Sequence, residues 1–162
     1  MADQILSQAE VNAGAVRLLY HDNGDGSYSP VTLMGGGGMT KFTLEGINGK
    51  TVASSKIATT DPARAFIVTG VVIRCTAASA ITIAASASVG TNSASFNNII
   101  AATVLAGVTA ANKAVSSDPS GSLTVLEAGI VIPPNTDIDI KITNAATGTS
   151  QTLGVDVLGY YP

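Results

Sequence analysis

The residues that could carry chemistry are few, and the first group lies near the N-terminus. The single histidine, His21, is followed by Asp22 in a stretch rich in glycine. A catalytic triad needs a histidine held rigidly between a nucleophile and a carboxylate. A glycine-rich turn gives no such support, because functional sites depend on side chains locked by packing. These two residues therefore do not predict a catalytic site, and the chain is expected not to be an enzyme.

Asp22, Asn23 and Asp25 in the same stretch raise the question of a calcium loop. The EF-hand pattern needs an oxygen ligand at its third position, where this sequence has Gly24. Asn-Gly and Asp-Gly dipeptides are instead strong signals for a hairpin turn. A cupin-type metal site normally takes several histidines, and this chain has 1. We therefore expect a turn here, with no metal and no other cofactor.

The run of four glycines at residues 35–38 resembles a phosphate-binding loop only superficially. That motif requires glycine before its lysine, whereas Thr40 precedes Lys41 here, and no strong strand pattern precedes the run. Consecutive glycines lose much backbone entropy when they become ordered. The run therefore predicts a hinge or a place of close backbone approach.

Asp137 and Asp139 are the remaining pair of carboxylates at a suggestive spacing. Residues two apart on a strand share one face, so the two side chains are expected to lie side by side. Paired carboxylates act as acid and base in some hydrolases. With Lys141 following at the same spacing, the pattern is more typical of the solvated face of a strand.

Composition and charge exclude further classes of function. The net charge is −3, and the 8 basic residues form no run, so the sequence lacks the basic footprint of a nucleic-acid-binding protein. The apolar stretch at residues 99–111 is shorter than the roughly 20 residues of a membrane span, and no secretory signal opens the chain. The single cysteine, Cys75, is expected to be a buried apolar side chain. We expect a protein made in the cytoplasm, with neither nucleic acid nor membrane as partner.

Alternating residues give the clearest secondary-structure prediction. Residues 137–142 place isoleucine at every second position, which predicts a half-buried strand. Residues 153–160 predict another strand, with Leu153, Val155 and Val157 on one face and Asp156 on the other. The polar segment at 144–149 between them predicts a terminal antiparallel hairpin.

Other segments complete an all-β prediction. β-branched runs predict one or two strands over 66–76, broken or bulged at Gly70, and further strands near 81–83, 123–126 and 130–132. Residues 97–114 are ambiguous and are predicted to form a loop with a helical turn. In the first third, residues 16–20 and 28–33 flank the Asn-Gly and Asp-Gly dipeptides and predict a hairpin or an extended segment.

These elements predict an antiparallel β-sandwich, most simply a jelly roll, with an extended N-terminal arm. The composition shift places the arm and its glycine hinge at residues 1–60 and the sandwich at 61–162. Hydrophobic residues make up 46% of the chain, but there are only 3 Phe, 4 Tyr and no Trp. Small apolar side chains bury little area each, so subunit contacts would add useful stability.

The C-terminal hundred residues resemble the small jelly-roll virion proteins of tailed bacteriophages, including capsid decoration or cement proteins. The segments that carry this resemblance are Val89-Gly90-Thr91-Asn92, Phe96-Asn97-Asn98-Ile99-Ile100, Pro133-Pro134-Asn135-Thr136-Asp137 and Asp156-Val157-Leu158-Gly159-Tyr160. The arm segment from Asp22 to Val31 is similar to an N-terminal stretch of phage structural proteins.

The resemblance implies a homo-oligomer, usually a trimer, seated on the major capsid protein at the virion surface. A cement protein adds buried area between capsid subunits and so stabilises the head. The residues expected to anchor the arm to the capsid or within the oligomer are Leu18, Leu19, Tyr20, Tyr28, Pro30 and Val31; the competing interpretation is that they only cover the sandwich.

The alternative is a tail, neck or head-fibre module that binds a receptor or a glycan, since jelly rolls also serve in lectins. Sugar-binding faces usually present exposed aromatic rings. With no Trp and 4 Tyr, two of them at Tyr160-Tyr161, the sequence offers little material for such a face.

Overall fold

The chain forms two compact units, Met1–Gly36 and Gly37–Pro162. The structure, a computed structural model, describes residues 19–22, 28–31, 38–117, 123 and 129–162. Among these residues every regular element is a β-strand. The first unit contains β1 (Leu19–Asp22) and β2 (Tyr28–Val31), which pair antiparallel with Leu19 opposite Val31. Of the two predicted alternatives, a hairpin or an extended segment, this antiparallel pairing agrees with the hairpin.

The second unit, called the body below, has nine strands in its described part, arranged in two antiparallel sheets. The strands are β3 (Thr40–Asn48), β4 (Ser54–Thr59), β5 (Phe66–Ser79), β6 (Ser86–Gly90), β7 (Ile100–Val104), β8 (Ala114–Ser116), β9 (Ile130–Ile132), β10 (Asp137–Asn144) and β11 (Ser150–Tyr160).

The connections between the sheets define the topology. One sheet has the order β4-β10-β6-β7 and the other β3-β11-β5-β8, with β9 pairing the first half of β5. The chain stays within one sheet only between β6 and β7 and between β8 and β9, and every other connection from β3 to β11 crosses to the opposite sheet. Eight strands wound in this way form a jelly roll, which confirms the predicted fold class.

The alternation of apolar and polar side chains along β10 and β11 explains which face of each strand is turned toward the core. In β10 the buried residues are Ile138, Ile140 and Ile142, and in β11 Leu153, Val155 and Val157 are fully buried. The five residues of β6 are all buried, because this strand lies between β10 and β7 and loop 91–98 folds back against it. The core between the sheets is built mainly from Ile, Val and Ala.

The aromatic side chains cluster at one place in this core. Phe66 is fully buried, and its ring centroid lies 4.9 Å from that of Phe42 and 5.1 Å from that of Tyr161. A Cβ atom at Gly159 would lie 2.4 Å from the Phe66 ring. Backbone and ring are therefore packed in direct contact at this point.

The predicted terminal hairpin is wrong. β10 pairs with β4 and β6, and β11 pairs with β3 and β5, so the two strands lie in different sheets. The connecting segment does not close a turn on itself. Instead Thr147 forms an antiparallel bridge with Ile83, and its N–H donates to the Ile83 carbonyl over 2.9 Å. Each of the two strands has an apolar face. Because the strands lie in opposite sheets, both apolar faces are buried in the shared core.

Two other sequence predictions differ from the structure. Residues 97–114 contain strand β7 and lead into β8, whereas a loop with a helical turn was expected. Residues 40–59, assigned to the arm by the boundary after residue 60, form β3 and β4, which pair with β11 and β10. The composition shift misplaced them because their burial comes from strands about a hundred residues later in the chain.

The predicted strand at 130–132 is confirmed, and residues 66–76, predicted as one or two strands, lie in the single long strand β5. The register between β5 and β11 shifts where Gly70 lies opposite Leu158, as the glycine indicated. Of the strand predicted at 123–126, only Leu123 is described, and it is buried. At residues 81–83 the structure has only the isolated bridge of Ile83.

We predict that Phe66→Ala lowers the free energy of unfolding by about 3–5 kcal/mol, because it empties the aromatic cluster of the core. Val131→Thr is the control, since Val131 is 61% exposed and its replacement is expected to change stability by less than about 0.5 kcal/mol. Urea denaturation followed by circular dichroism measures both. Equal effects of the two substitutions would contradict the packing described here.

Candidate interaction surfaces

The N-terminal residues considered above as candidates for catalysis or metal binding lie in or beside the first strand pair. His21 is in β1 opposite Ser29, and Asp22 is opposite Tyr28. Asn23, Gly24 and Asp25 lie outside the described residues. Of the six residues expected to anchor the arm, Leu18 also lies outside the described part, and the backbones of the other five, Leu19, Tyr20, Tyr28, Pro30 and Val31, belong to β1 and β2.

The segment after the glycine run continues as a strand. Thr40 and Lys41 begin β3, and they pair with Gly159 and Leu158 of β11. A phosphate-binding loop leads into a helix, whose first turn provides backbone N–H groups. The strand at this position offers no such cradle.

Cys75 is buried in the core, as its apolar neighbours predicted. Its thiol lies 3.3 Å from the carbonyl oxygen of Ala77, and burial raises its pKa. Because the thiolate is the reactive form, this environment disfavours nucleophilic or metal-binding chemistry. In the described part of the chain, no three His, Cys, Asp or Glu side chains are grouped closely enough to hold a metal ion.

The carboxylates of Asp137 and Asp139 occupy different environments. Asp137 accepts from Lys56 over 2.7 Å and from the Thr59 hydroxyl over 2.5 Å, and these hydrogen bonds lower its pKa. The Asp139 carboxylate has no hydrogen bond or ion pair with the described residues, although its backbone lies in the sheet. Burial, followed by the charge of Asp137, raises the pKa of Asp139. One carboxylate thus bonds across the sheet, and the other makes no such bond.

A polar network covers the outer face of the five-stranded sheet. The Arg74 guanidinium donates to Glu45 on one side and to Asp156 on the other, and Thr43 donates to Asp156 over 2.6 Å. The hydrogen bond to Glu45 contributes most to raising the pKa of Arg74. Each group in this network already has its partner, so it ties β3, β5 and β11 together and presents no free reactive group.

Tyr161 belongs to the core, so it does not provide an exposed sugar-binding ring. Its hydroxyl accepts from the Asp61 N–H over 2.9 Å, and the Arg64 guanidinium lies 4.7 Å from its ring centroid. The Asp61 carboxylate in turn accepts from the N–H of Ala63 and Arg64, which lowers its pKa. These contacts make a structural corner.

The loop at residues 91–98, between β6 and β7, is fixed by its own side chains. The Asn92 side chain donates to and accepts from Asn97 over 2.8 Å, and the Asn98 side chain accepts from the Thr91 N–H over 2.7 Å and donates to its hydroxyl. Lys141 of β10 donates to the Ala94 carbonyl. The loop is therefore held in a defined shape beside the end of β10.

An open groove lies between this loop and the end of the four-stranded sheet. It has a volume of about 600 Å³. Thr59, Asp137 and Asp139 line it from β4 and β10. The other lining residues are Thr91, Ser93 and Phe96 of the loop, and Asn135 and Thr136 of the turn before β10. The sequence drew attention to the aspartates, but not to Phe96 or Asn135 as neighbours of them.

Apolar side chains are also exposed on the body. Met39, Val52, Ile83, Val104 and Val131 are each more than half exposed. Scattered exposed apolar residues are normal on protein surfaces, so by themselves they do not define an interface. No helix in the described residues is long and apolar enough to cross a membrane.

The fold and surfaces define a jelly-roll protein with a polar groove at one end of its four-stranded sheet. A solved structure of this fold, a chain in the cyanophage Pam1 capsid asymmetric unit, matches with a TM-score of 0.53. The match covers 88% of this chain and 98% of that chain, at 16% sequence identity. Similarity at this level shows a shared fold. Neither a protein-family model nor a curated protein matches the sequence.

We predict opposite effects of Asp137→Asn and Asp139→Asn on stability at pH 7. Asp137 has a lowered pKa in the folded protein, so its charge stabilises the fold above the ordinary value of 3.8 and this contribution is lost in stronger acid. Asp139 has a raised pKa, so its charge destabilises the fold at neutral pH and this effect disappears as the pH falls below 3.8.

Accordingly, Asp137→Asn is expected to lower Tm and Asp139→Asn to raise it. The two substitutions are chemically identical and lie two residues apart on one strand, so each is the control for the other. Thermal unfolding measured between pH 3 and 7 tests this, and shifts of the same sign at neutral pH would contradict the assignment of the two environments.

Proposed function

We propose that this chain is a non-enzymatic structural protein of a bacteriophage virion, and that it binds the capsid exterior as a decoration or cement protein. The observation that carries the proposal is the fold match to a chain of a phage capsid asymmetric unit, which spans 98% of that chain. The resemblance of residues 89–100, 133–137 and 156–160 to phage virion proteins supports the same conclusion independently.

The chemistry of the described residues is consistent with a structural role. Its charged side chains are largely committed to bonds that hold strands together, as in the network of Arg74, Glu45 and Asp156. The cysteine is buried with a raised pKa. A net charge of −3 without a basic run argues against nucleic acid as the partner.

The proposed partners are the major capsid protein and further copies of this chain, most simply in a homotrimer. A core built from Ile, Val and Ala gains a limited amount from burial within one subunit. Association adds buried area and stabilises the folded state by mass action. When a cement protein binds a capsid, the area buried in the contact likewise stabilises the capsid lattice.

The proposed attachment device is the N-terminal unit, with contacts from Leu18, Leu19, Tyr20, Tyr28, Pro30 and Val31. A two-stranded pair such as β1 and β2 is at best marginally stable alone in water. Contact with a capsid or with another subunit would cover its apolar residues and order it. In this proposal the four-glycine run at residues 35–38 is the hinge for such docking.

The decisive test is binding of the purified protein to undecorated phage capsids, with its oligomeric state measured by light scattering. We expect saturable, stoichiometric binding by a homo-oligomer, and an increase in the temperature at which the capsids disrupt. A folded protein that binds none of the capsids but binds cells would instead favour the alternative of a tail, neck or head-fibre module.

Removal of residues 1–38 tests the role of the arm. The body, Gly37–Pro162, contains both sheets of the jelly roll, so the shortened chain is expected to keep its β circular-dichroism spectrum and to lose capsid binding. Unfolding of the shortened chain would show a role in stability, and unchanged binding would remove the arm as the anchor. Replacing residues 35–38 by alanine keeps the arm and tests the hinge separately.

A further inference from the structure

The groove beside loop 91–98 has a chemical character that attachment to a capsid does not explain. In the register of the sheet, Asp137 of β10 lies opposite Thr59, the last residue of β4, and Asp139 lies opposite Gly90, the last residue of β6. Three strand ends and the turn before β10 therefore meet at one end of the sheet. The groove lies there, outside the packed core.

Three polar side chains in this groove have no partner among the described residues. They are the carboxylate of Asp139, the amide of Asn135 and the hydroxyl of Ser93, and the ring of Phe96 lies with them. The polar groups around them are already bonded: Asp137 to Lys56 and Thr59, Thr136 to the Pro134 carbonyl, and Thr91 to Asn98. These three side chains can therefore hydrogen-bond to a ligand without breaking a bond within the protein.

The rigidity of the surrounding backbone favours a binding site over a loose surface depression. Loop 91–98 is held by hydrogen bonds among Thr91, Asn92, Asn97 and Asn98. A Cβ at Gly90 would lie 2.6 Å from the backbone nitrogen of Asn97, so the loop folds back closely on β6. Side chains presented by a fixed backbone lose less conformational entropy on binding.

We propose that this groove binds a neutral saccharide. A carboxylate and an amide together accept from and donate to neighbouring sugar hydroxyls, and a serine hydroxyl does both. The apolar C–H face of a sugar ring packs on an aromatic side chain such as Phe96. The volume of about 600 Å³ lies within the range of roughly 300–1,000 Å³ typical of small-molecule sites.

The local charge restricts the class of saccharide. Lys56 forms its ion pair with Asp137, and the Lys56 charge only partly offsets the burial and the Asp137 charge that raise the pKa of Asp139. An anionic sugar, such as a uronic or sialic acid, would meet the Asp139 charge directly. A guanidinium group of a protein partner also suits a carboxylate beside an aromatic ring. A single guanidinium, however, has only donors and would leave the amide donors of Asn135 unused.

The proposal also changes the expectation drawn from the lack of Trp and the few Tyr residues. The chain has few residues suited to an aromatic platform, and Tyr161 is buried. Phe96 supplies a ring at the groove from a loop position with φ of 47°. The inference does not depend on capsid attachment, which is proposed for a different part of the chain.

The test is binding of the full-length protein to an array of neutral oligosaccharides built from glucose, galactose, mannose, rhamnose and N-acetylglucosamine, followed by saturation-transfer NMR with the best-bound compound. We expect Phe96→Asn and Asp139→Asn each to weaken binding by roughly tenfold or more, as loss of a ring contact or of a charged hydrogen bond does. Asparagine tolerates the left-handed backbone at position 96, so the first change removes the ring with little strain.

Val131→Thr is the control, because this exposed residue lies on β9 of the other sheet and is expected to leave the affinity unchanged. Thermal unfolding shows whether each variant is folded, and Asp139→Asn decides the matter alone if Phe96→Asn is unstable. Absence of binding to every oligosaccharide would overturn the proposal, as would binding that both substitutions leave intact. Preferential binding of an arginine peptide such as Gly-Arg-Gly would also overturn it. Saccharide binding by a full-length protein that binds no capsid would contradict only the proposed capsid attachment.

Discussion

The contact between the apolar faces of the two sheets is the interaction on which the rest of the structure depends. Ile138, Ile140 and Ile142 line that face of β10, and they share one core with the inward residues of β5 and β11. Because side chains alternate along a strand, fixing these residues inward also fixes their neighbours outward. Asp139 and Asp156 point away from the core for this reason, one into the groove and the other onto Arg74. The surface chemistry is thus a consequence of the core.

The same alternation determines how much of the fold could be predicted from the sequence. β10 and β11 were predicted because each carries a period of two, and the β1–β2 pair was predicted from its turn residues. β6, with the sequence Ser-Ala-Ser-Val-Gly, was missed because all five residues are buried and it has no alternation. The partner of β10 was predicted wrongly because a short polar connection suits a hairpin and a crossover between sheets equally well. Which of the two forms depends on β4 and β6, and local sequence carries no information about such distant pairing.

The candidate groove was less accessible to sequence reasoning than the fold. The spacing of Asp137, Asp139 and Lys141 predicted their common face, but not their partners. Lys56, from a strand about eighty residues earlier, pairs with Asp137, and Lys141 donates to the Ala94 carbonyl instead. Phe96 and Asn135 both have positive φ values, 47° and 52°, and their positions follow from loop geometry that no period in the sequence encodes. The Pro133-Pro134-Asn135 turn was the one visible signal, and it indicated a turn without indicating a site.

The two aspartates of β10 show how one rigid frame places identical side chains in different environments. They have the same side chain, the same strand and the same face, yet Lys56 and Thr59 lower the pKa of Asp137, whereas burial and the charge of Asp137 raise that of Asp139. At this strand end the Asp137 carboxylate bonds across the strands, whereas the Asp139 carboxylate has no hydrogen-bond partner among the described residues. The core holds both residues in place. The jelly roll of residues 37–162 supplies that support through the isoleucines that alternate with the two aspartates on β10.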